Sequence, residues 1–262
     1  MSVLELPAPD TSHLRRSPLR LVVCQVRHDR TFAAVDATRV LALHGELADR
    51  YPTITEAAQQ TLGILAGPAG AQMMAPEPSK GWQFRSADET WTVTVQPDFF
   101  SLETSGYQDW ADFSERLMQV VRAVGVHVRP VLEQRVGLRY VDEVRDPDVS
   151  DPVGWKGWID DSLLGPLAHP SFGPALRGTQ QVLELDAPDA LRVILRHGTL
   201  RVPGEKQWLY LLDHDCFRQQ GGPFDVDAVA GTVEDLHRLA LQVFQAAITP
   251  KLYKYLKGDD GL

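Results

Sequence analysis

Apolar residues recur along the chain with two different periods, and these periods divide it into strands and helices. A continuous apolar run within residues 19–28 predicts a strand covered on both faces, and alternation over residues 91–95 predicts a hairpin strand with one buried face. Apolar residues three and four positions apart predict a long helix over residues 108–124, and a matching stripe recurs over residues 233–248. The combination is typical of an α+β protein with an antiparallel sheet.

Shorter patterns fill the intervals between these elements. They predict a helix over residues 33–51 that ends at Pro52, a short helix over residues 54–64, a loop over residues 67–78, a short amphipathic helix over residues 154–164, a hairpin of residues 179–185 and 191–195, and a strand over residues 207–217. Thr249 and Pro250 have the order of an N-cap followed by proline at the first helical position. Residues 251–257 should therefore form a separate last helix.

The two halves of the chain resemble each other weakly. Pro18 to Arg27 and Pro130 to Arg139 each open an apolar strand, and each half closes with a long helix. We therefore predict two pseudo-repeated β-α-β-β-β-α halves, closely related to ferredoxin-like units, that form one antiparallel sheet with the long helices packed on one face. Two unrelated halves with a chance match are the alternative.

Three segments follow from this organisation. The first half should span residues 18–128 and the second half residues 129–262, both within one compact domain. Residues 1–17 are polar and carry prolines, so we expect a flexible N-terminal arm.

Composition narrows the class of protein. Of the 262 residues, 44% are hydrophobic and 23% are charged, as in ordinary soluble domains. No apolar stretch approaches the roughly 18 to 20 residues of a membrane helix, and the N-terminus lacks the apolar region of a signal peptide. We therefore expect a cytoplasmic protein with no membrane partner. Cys24 and Cys216 lie in apolar stretches and should be buried free thiols.

The charge of the chain does not favour nucleic acid as a partner. Its formal net charge is -9, which repels a phosphate backbone at long range. The local basic clusters at Arg15-Arg16 and at residues 251–257 are short, so we interpret them as solvated surface charge.

Charged residues on two strands are the strongest candidates for ligand binding. Alternation puts Arg135 and Arg139 on one strand face with Gly137 between them, and two guanidinium groups so placed can clamp a phosphate or a carboxylate. Asp213 and Asp215 share a face of another strand. Structural ion pairing between the arginines and these aspartates is the favoured interpretation, and a ligand site or a two-carboxylate magnesium site is the alternative.

Other residue types give no catalytic or metal site. His214 lies between Asp213 and Asp215, yet alternation sends it to the opposite face of the strand, so the three side chains cannot converge on one ion. The histidines lack the spacing of a zinc site, and no nucleophile motif is present, so we predict no catalytic residue, metal ligand or cofactor. Trp155 and Trp158, three residues apart on the predicted helix, are candidates for an exposed interaction surface.

Several segments together resemble a known family. They are Trp82-Gln-Phe-Arg-Ser-Ala-Asp, the stretch from Phe99 to Phe113, Arg135-Val-Gly-Leu-Arg-Tyr-Val and the closing helix from Leu236. The order of these segments resembles a sporadically distributed bacterial family of similar length with no assigned activity, and the resemblance covers the chain from Pro18 to about Tyr255. Family members commonly carry asparagine where this chain has Asp142, which preserves a polar role but not contacts specific to an amide.

The resemblance implies a cytoplasmic, single-chain α+β protein and transfers no catalytic residues. It also implies, by analogy, a role in accessory systems such as phage defence. The leading hypothesis is a non-enzymatic binding module whose partner is another protein or a second copy of the chain; any small ligand is unknown. The alternative is a metal-dependent phosphodiester or nucleotide-processing enzyme that uses the arginines and aspartates of the two strands.

Overall fold

The computed structural model describes residues 3–34, 36–59, 63–67, 70–74, 79–145, 149–201, 204 and 207–258. In the first part of the chain the elements are β1 (Leu19–His28), α1 (Ala37–Leu47), β2 (Thr53–Gln59), β3 (Gly63–Gly67), β4 (Gly70–Met74), β5 (Ser79–Arg85), β6 (Trp91–Gln96), β7 (Phe99–Thr104) and α2 (Trp110–His127). They are followed by β8 (Leu132–Arg145), α3 (Asp161–Leu164), β9 (Gln181–Asp186), β10 (Leu191–Arg201), β11 (Trp208–Arg218), β12 (Gly222–Pro223), α4 (Val226–Ala247) and α5 (Pro250–Lys257).

The described strands form one large sheet. Its order is β2-β5-β6-β7-β1-β8-β11-β10-β9, with β12 beside β8, and β3 and β4 form a separate hairpin. Every pairing in the sheet is antiparallel. Strands β1 and β8 pair over most of their length at the centre, so both parts of the chain contribute to the same sheet. The predicted α+β class and antiparallel sheet are confirmed.

The core lies between the sheet and the long helices. One row of side chains crosses seven neighbouring strands, and each of its members has 0% exposure: Phe84, Val93, Leu102, Cys24, Leu138, Cys216 and Val193. The apolar stripes of α1, α2 and α4, which include Leu43, Leu117 and Leu236, are buried in the same core. The sheet and helices therefore bury one continuous apolar layer.

Three long helices begin at an aspartate. The carboxylates of Asp36, Asp109 and Asp225 accept hydrogen bonds from backbone N–H groups three residues later, which satisfies donors that a helix start leaves free. The predicted cap before α5 is confirmed, because the Thr249 hydroxyl accepts a hydrogen bond from the Leu252 N–H and Pro250 occupies the first turn.

Strand β1 differs from its prediction. Its apolar run suggested burial on both faces, but only the side chains that face the helices, such as Val22 and Cys24, are fully buried. Val23 and Gln25, on the opposite face, are only half-buried. The prediction of two covered faces is wrong.

Two predicted elements in the first half are also different. The predicted helix over residues 54–64 is wrong where the structure describes it, because residues 53–59 form strand β2 and pair with β5 from Thr53 to Gln59. The predicted loop over residues 67–78 is wrong for residues 70–74, which form β4; residues 68, 69 and 75–78 lie outside the described residues. Pairing with a neighbouring strand supplies backbone hydrogen bonds that a reading of local periodicity does not include.

The predicted helix over residues 154–164 is divided. A 3-10 turn covers Pro152–Trp155, and the four-residue α3 begins only at Asp161. Gly157 lies between them with φ of +83°, in the left-handed region that interrupts a right-handed helix. The apolar spacing of this segment therefore comes from two short turns that dock on the same core.

Residues 3–17, expected to form a flexible arm, follow the helix side of the molecule. The Leu4 N–H donates to the Asp186 carbonyl at 2.8 Å, and the Arg16 N–H donates to the Leu256 carbonyl at 2.9 Å. The arm thus contacts the end of β9 and the end of α5. Among the described residues, no helix is long and apolar enough to cross a membrane.

Gly198 lies where the backbone of β10 passes close to the backbone that precedes β9. A Cβ atom at this position would lie 2.0 Å from the Thr179 carbonyl oxygen, so Gly198→Ala must push two backbone segments apart. We expect this substitution to lower the free energy of unfolding by about 2 to 3 kcal/mol. Urea denaturation followed by circular dichroism measures the change.

Gly231→Ala is the matched control. Gly231 is exposed within α4, and a Cβ atom there would have no other atom within 4 Å. Alanine should stabilise this helix by up to about 1 kcal/mol. Equal effects of the two substitutions would contradict the role assigned to Gly198.

Candidate functional site

The sheet face opposite the helices carries the charged residues singled out in the sequence. We call the open face the one presented by the odd-numbered residues of 21–27 in β1, of 135–145 in β8 and of β11, and by the even-numbered residues of β9 and β10. Most of its central side chains are half-buried or exposed, including Val23, Arg139 and Ile194, whereas Asp213 is buried. The alternation of strand residues separates this polar face from the apolar core face.

Arg135 and Asp215 form the first ion pair of the open face. Both Asp215 carboxylate oxygens accept from Arg135 Nη2, at 2.9 and 2.8 Å. The Arg135 guanidinium also lies 4.5 Å from the centre of the Phe217 ring. Its side chain crosses Gly137, where a Cβ atom would lie 2.3 Å from the guanidinium. Gly137 therefore makes room for the Arg135 side chain itself.

Asp213 organises the second ion pair. Its carboxylate accepts from Arg139 Nε at 2.6 Å and from Arg139 Nη2 at 2.8 Å, and Arg196 Nη1 lies 3.8 Å away. The Asp213 side chain is only 5% exposed, whereas that of Arg139 is 44% exposed. Hydrogen bonding to Asp213 raises the pKa of Arg139, so the guanidinium is charged at all physiological pH values. In this pair, the aspartate is buried and the arginine is accessible to solvent.

The structure thus brings all four candidate charges together, and it brings them together as two ion pairs. Arg135, Arg139, Asp213 and Asp215 lie on the adjacent strands β8 and β11. This geometry agrees with structural ion pairing, the interpretation that the sequence favoured. His214 lies on the opposite face and is buried in the core, as its alternation predicted.

The candidate tryptophan surface needs a correction. Trp155 has 0% exposure, and its indole N–H donates to the Thr199 hydroxyl at 2.8 Å, so it cannot form part of an exposed surface. Trp158 is half-buried, with the Lys251 ammonium 3.4 Å from its ring centre and the Tyr255 ring against it. The two residues separate because Gly157 ends the helical path between them. Trp155 is a core residue.

A buried polar cluster on the helix side was not found from the sequence. It consists of Tyr140 and Asp142 on β8, His214 on β11 and His237 on α4. The Tyr140 hydroxyl and His237 Nδ1 are joined by a hydrogen bond of 2.9 Å, and His214 Nδ1 lies 3.8 Å from an Asp142 oxygen. The available signal was weak, because the pairing of β8 with β11 and the packing of α4 on the sheet are both needed to bring the four residues together.

Burial holds the ionisable groups of this cluster neutral. It raises the pKa of Asp142 to about 8 and lowers the pKa of His214 to about 4, because each charged form would lose its hydration. Burial likewise lowers the pKa of His237 to about 4. These neutral, enclosed groups suit a structural role better than proton transfer with a solvent-borne substrate.

In the described part of the chain, few side chains are placed for metal binding or nucleophilic catalysis. No group of three or more histidine, cysteine, aspartate or glutamate side chains is placed there to hold a metal ion. Cys24 and Cys216 are free and buried, as predicted, and both flank Leu138 in the same row. Two strand spacings, about 10 Å, separate them, which is too far for a disulfide. Burial raises the pKa of Cys24 to about 12, so its thiol is unreactive.

Comparisons with protein-family models and with curated protein sequences do not assign the chain to a family. No protein-family model matches the chain, and no curated protein sequence matches it. The family resemblance drawn from the sequence segments therefore stays a prediction.

The buried histidines predict a loss of stability in acid. Burial lowers the pKa values of His28, His197, His214 and His237, so the unfolded chain binds protons at a higher pH than the folded chain does. The stability from these groups is fully present above their ordinary pKa of about 6.5 and is lost as the pH falls toward 4. Urea unfolding at half-unit pH steps should show this slope; a flat profile between pH 6.5 and 4.5 would contradict it.

Asp142 predicts a slope of the opposite sign between pH 3.8 and about 8. Its pKa is raised from 3.8 to about 8 in the folded protein, so its contribution to stability is present in acid and is lost as the pH rises between these values. Asp142→Asn removes that cost and should stabilise the protein at pH 8.5 by several kcal/mol, with little effect at pH 4. Unfolding in urea at both pH values measures the difference.

Asp49→Asn serves as the control, because Asp49 is exposed at the end of α1. It should change the free energy of unfolding equally, and little, at both pH values. If Asp142→Asn behaves in the same way, Asp142 is ionised in the folded protein at neutral pH and the neutral cluster is wrong.

Proposed function

We propose that the protein is a non-enzymatic protein-interaction module that binds its partner on the open face. One observation carries the proposal: helices pack on one side of the sheet, while the central strands leave half-buried and exposed side chains on the other. The five strands of the open face, spaced about 4.8 Å apart, extend about 20 Å across, and the 11 residues of β10 and of β11 extend about 36 Å along it. These dimensions are close to those of a standard protein interface of about 800 Å² per partner.

The charged composition of the open face supports a protein partner. Its basic side chains are all arginine at the described strand positions, and the lysines that the structure describes lie elsewhere. Protein interfaces are enriched in arginine and depleted in lysine, because the planar guanidinium forms several hydrogen bonds and packs on flat surfaces. Arg139 fits this role, since Asp213 holds one side of its guanidinium and the rest is exposed.

Apolar side chains lie between these charges. The half-buried members on the central strands are Leu21, Val23, Val141, Ile194 and Leu211. A surface that combines aliphatic side chains with organised arginines resembles the mixed apolar and polar composition of interfaces that form and dissociate.

The geometry gives less support to a metal-dependent phosphodiester or nucleotide-processing enzyme. Such an enzyme would need the carboxylates of Asp213 and Asp215 to bind cations, yet both accept hydrogen bonds from arginines at 2.9 Å or less. Binding of Mg²⁺ would have to break these ion pairs. Titration calorimetry with MgCl₂ distinguishes the two functions, because the interaction module gives no saturable heat.

We also propose that the two halves arose by duplication. The support comes from the strand order: β1 and β8 pair at the centre, and β7 and β11, which precede the long helices, lie next to them on either side. The proposed repeat would relate α2 to α4 and would place the open face across both copies. Its relation to ferredoxin-like units stays part of the same proposal.

Paired substitutions on opposite sides of the sheet test the interaction function. Arg27→Glu with Val182→Asp alters two exposed residues of the open face, and Val182 is 54% exposed. The matched control is Arg122→Glu with Val126→Asp on α2, where Val126 is also 54% exposed. Changing an interface in this way should weaken binding at least tenfold, equivalent to about 1.4 kcal/mol.

The measurement is quantitative affinity capture from the native host with the full chain, followed by binding of the purified partner. We expect a partner that the wild-type protein and the α2 variant retain and the open-face variant loses. Light scattering on the same proteins detects a second copy of the chain as that partner. A monomeric protein with no partner sensitive to the open face would overturn the proposal.

A further inference from the structure

The helix side of the molecule contains a groove that already holds an extended peptide segment. We define the arm groove as the surface of α4, α5 and the turn after β9 that contacts residues 4–16. Leu4, Leu6 and Leu14 pack against the core from this groove, while the intervening Glu5 is exposed. Over residues 4–6 the arm therefore places alternate side chains inward.

Two glutamines on α4 hold the main chain of the arm. Gln242 Nε2 donates to the Leu6 carbonyl at 3.2 Å and to the Pro7 carbonyl at 2.9 Å. The Gln245 amide makes a reciprocal pair with Asp10: it accepts from the Asp10 N–H at 3.0 Å and donates to the Asp10 carbonyl at 2.7 Å. These bonds engage backbone groups, which every peptide presents. They can hold an extended chain whatever its side chains are, in the way that a neighbouring strand does.

Side-chain contacts give the groove a direction and a preference. Lys257 Nζ lies 3.2 Å from an Asp10 carboxylate oxygen, and hydrogen bonds from Ser12 together with Lys257 hold the pKa of Asp10 well below its ordinary range. The leucines enter at the other end, near Leu239 and Pro188. An acidic residue thus lies four positions after the second leucine.

The groove is larger than the segment it holds. A cleft of 390 Å³ remains beside the arm, lined by Leu4, Glu5, Leu6, Pro188, Leu239 and Gln242. This volume leaves room for side chains larger than those of the arm. The arm is also held by few apolar side chains, so the free energy that fixes it in place is small compared with that of the core.

We propose that the arm groove is a binding site for an extended peptide of a partner protein, with the chain's own arm as the competing occupant. The partner segment has two leucine-like residues separated by one position, followed four positions later by aspartate or glutamate. Binding of this segment displaces residues 4–10. The site lies on the helix side of the sheet and does not depend on the open-face function.

Competition by the arm dictates the experiment. A tethered segment acts at an effective concentration of the order of millimolar, so a free peptide competes poorly with it in the wild-type protein. Leu4→Asp with Leu6→Asp, made in the full chain, puts two charges into the apolar part of the groove and should release the arm. Hydrogen exchange of residues 3–12, read by mass spectrometry, checks the release.

The probe is a fluorescein-labelled peptide with the sequence of residues 1–17, followed by fluorescence polarisation. We expect the released variant to bind it at least tenfold more tightly than the wild-type protein does. Adding Gln242→Ala and Gln245→Ala to the released variant should reduce binding at least tenfold, since the main-chain contacts are lost. A peptide with Asp10→Lys should bind more weakly than the parent peptide, because it would face Lys257.

Several results would overturn the proposal. One is an arm that stays protected from exchange in the leucine variant, which would mean that the leucines do not hold it. Another is a released arm with no peptide binding. Binding that is unchanged by the glutamine substitutions would place the peptide elsewhere, and a dimer with exchanged arms in light scattering would make a second copy the occupant. Circular dichroism confirms that each variant is folded.

Discussion

The row of fully buried side chains across seven strands is the feature on which the rest of the structure depends. Seven neighbouring strands of the sheet each contribute one apolar residue to this row, from Phe84 on β5 at one end to Val193 on β10 at the other. Because the side-chain period of a strand is two, this row fixes which residues face the helices and which face the open side. A slip of one residue in any strand would bury charges and expose apolar groups. The register of the whole sheet therefore follows from its apolar layer.

The same constraint explains why charged and neutral polar groups are separated. On the open face, Asp213 and Asp215 form ion pairs with arginines. One position away in the chain, His214 enters the core and is neutral, with its pKa lowered to about 4 by burial. Adjacent residues of a single strand thus have opposite electrostatic environments. Charged side chains are therefore presented on the open face, whereas the buried His214 on the core face is neutral.

Much of this arrangement could be predicted from particular residues. The alternation around residues 213–215 placed the two aspartates on one face and the histidine on the other, and the pairing with Arg135 and Arg139 followed as the favoured interpretation. The prediction failed where a contact with a distant segment decides the conformation. Residues 53–59 pair with β5, and Gly157 interrupts the predicted helix that made Trp155 look exposed. A window of local sequence contains neither the partner strand nor the surface on which a turn docks.

By itself, the sequence determined the class of fold, the positions of the long helices and strands, the free thiols and the faces on which charges lie, because these depend on local periodicity and on side-chain chemistry. Only the tertiary structure decided the strand order, the burial of Trp155, the neutral cluster around Asp142 and the docking of the N-terminal arm. The arm is the clearest case. Its strongest contacts run from glutamine amides to main-chain groups, which are the same in every residue, so no pattern in the sequence can report them.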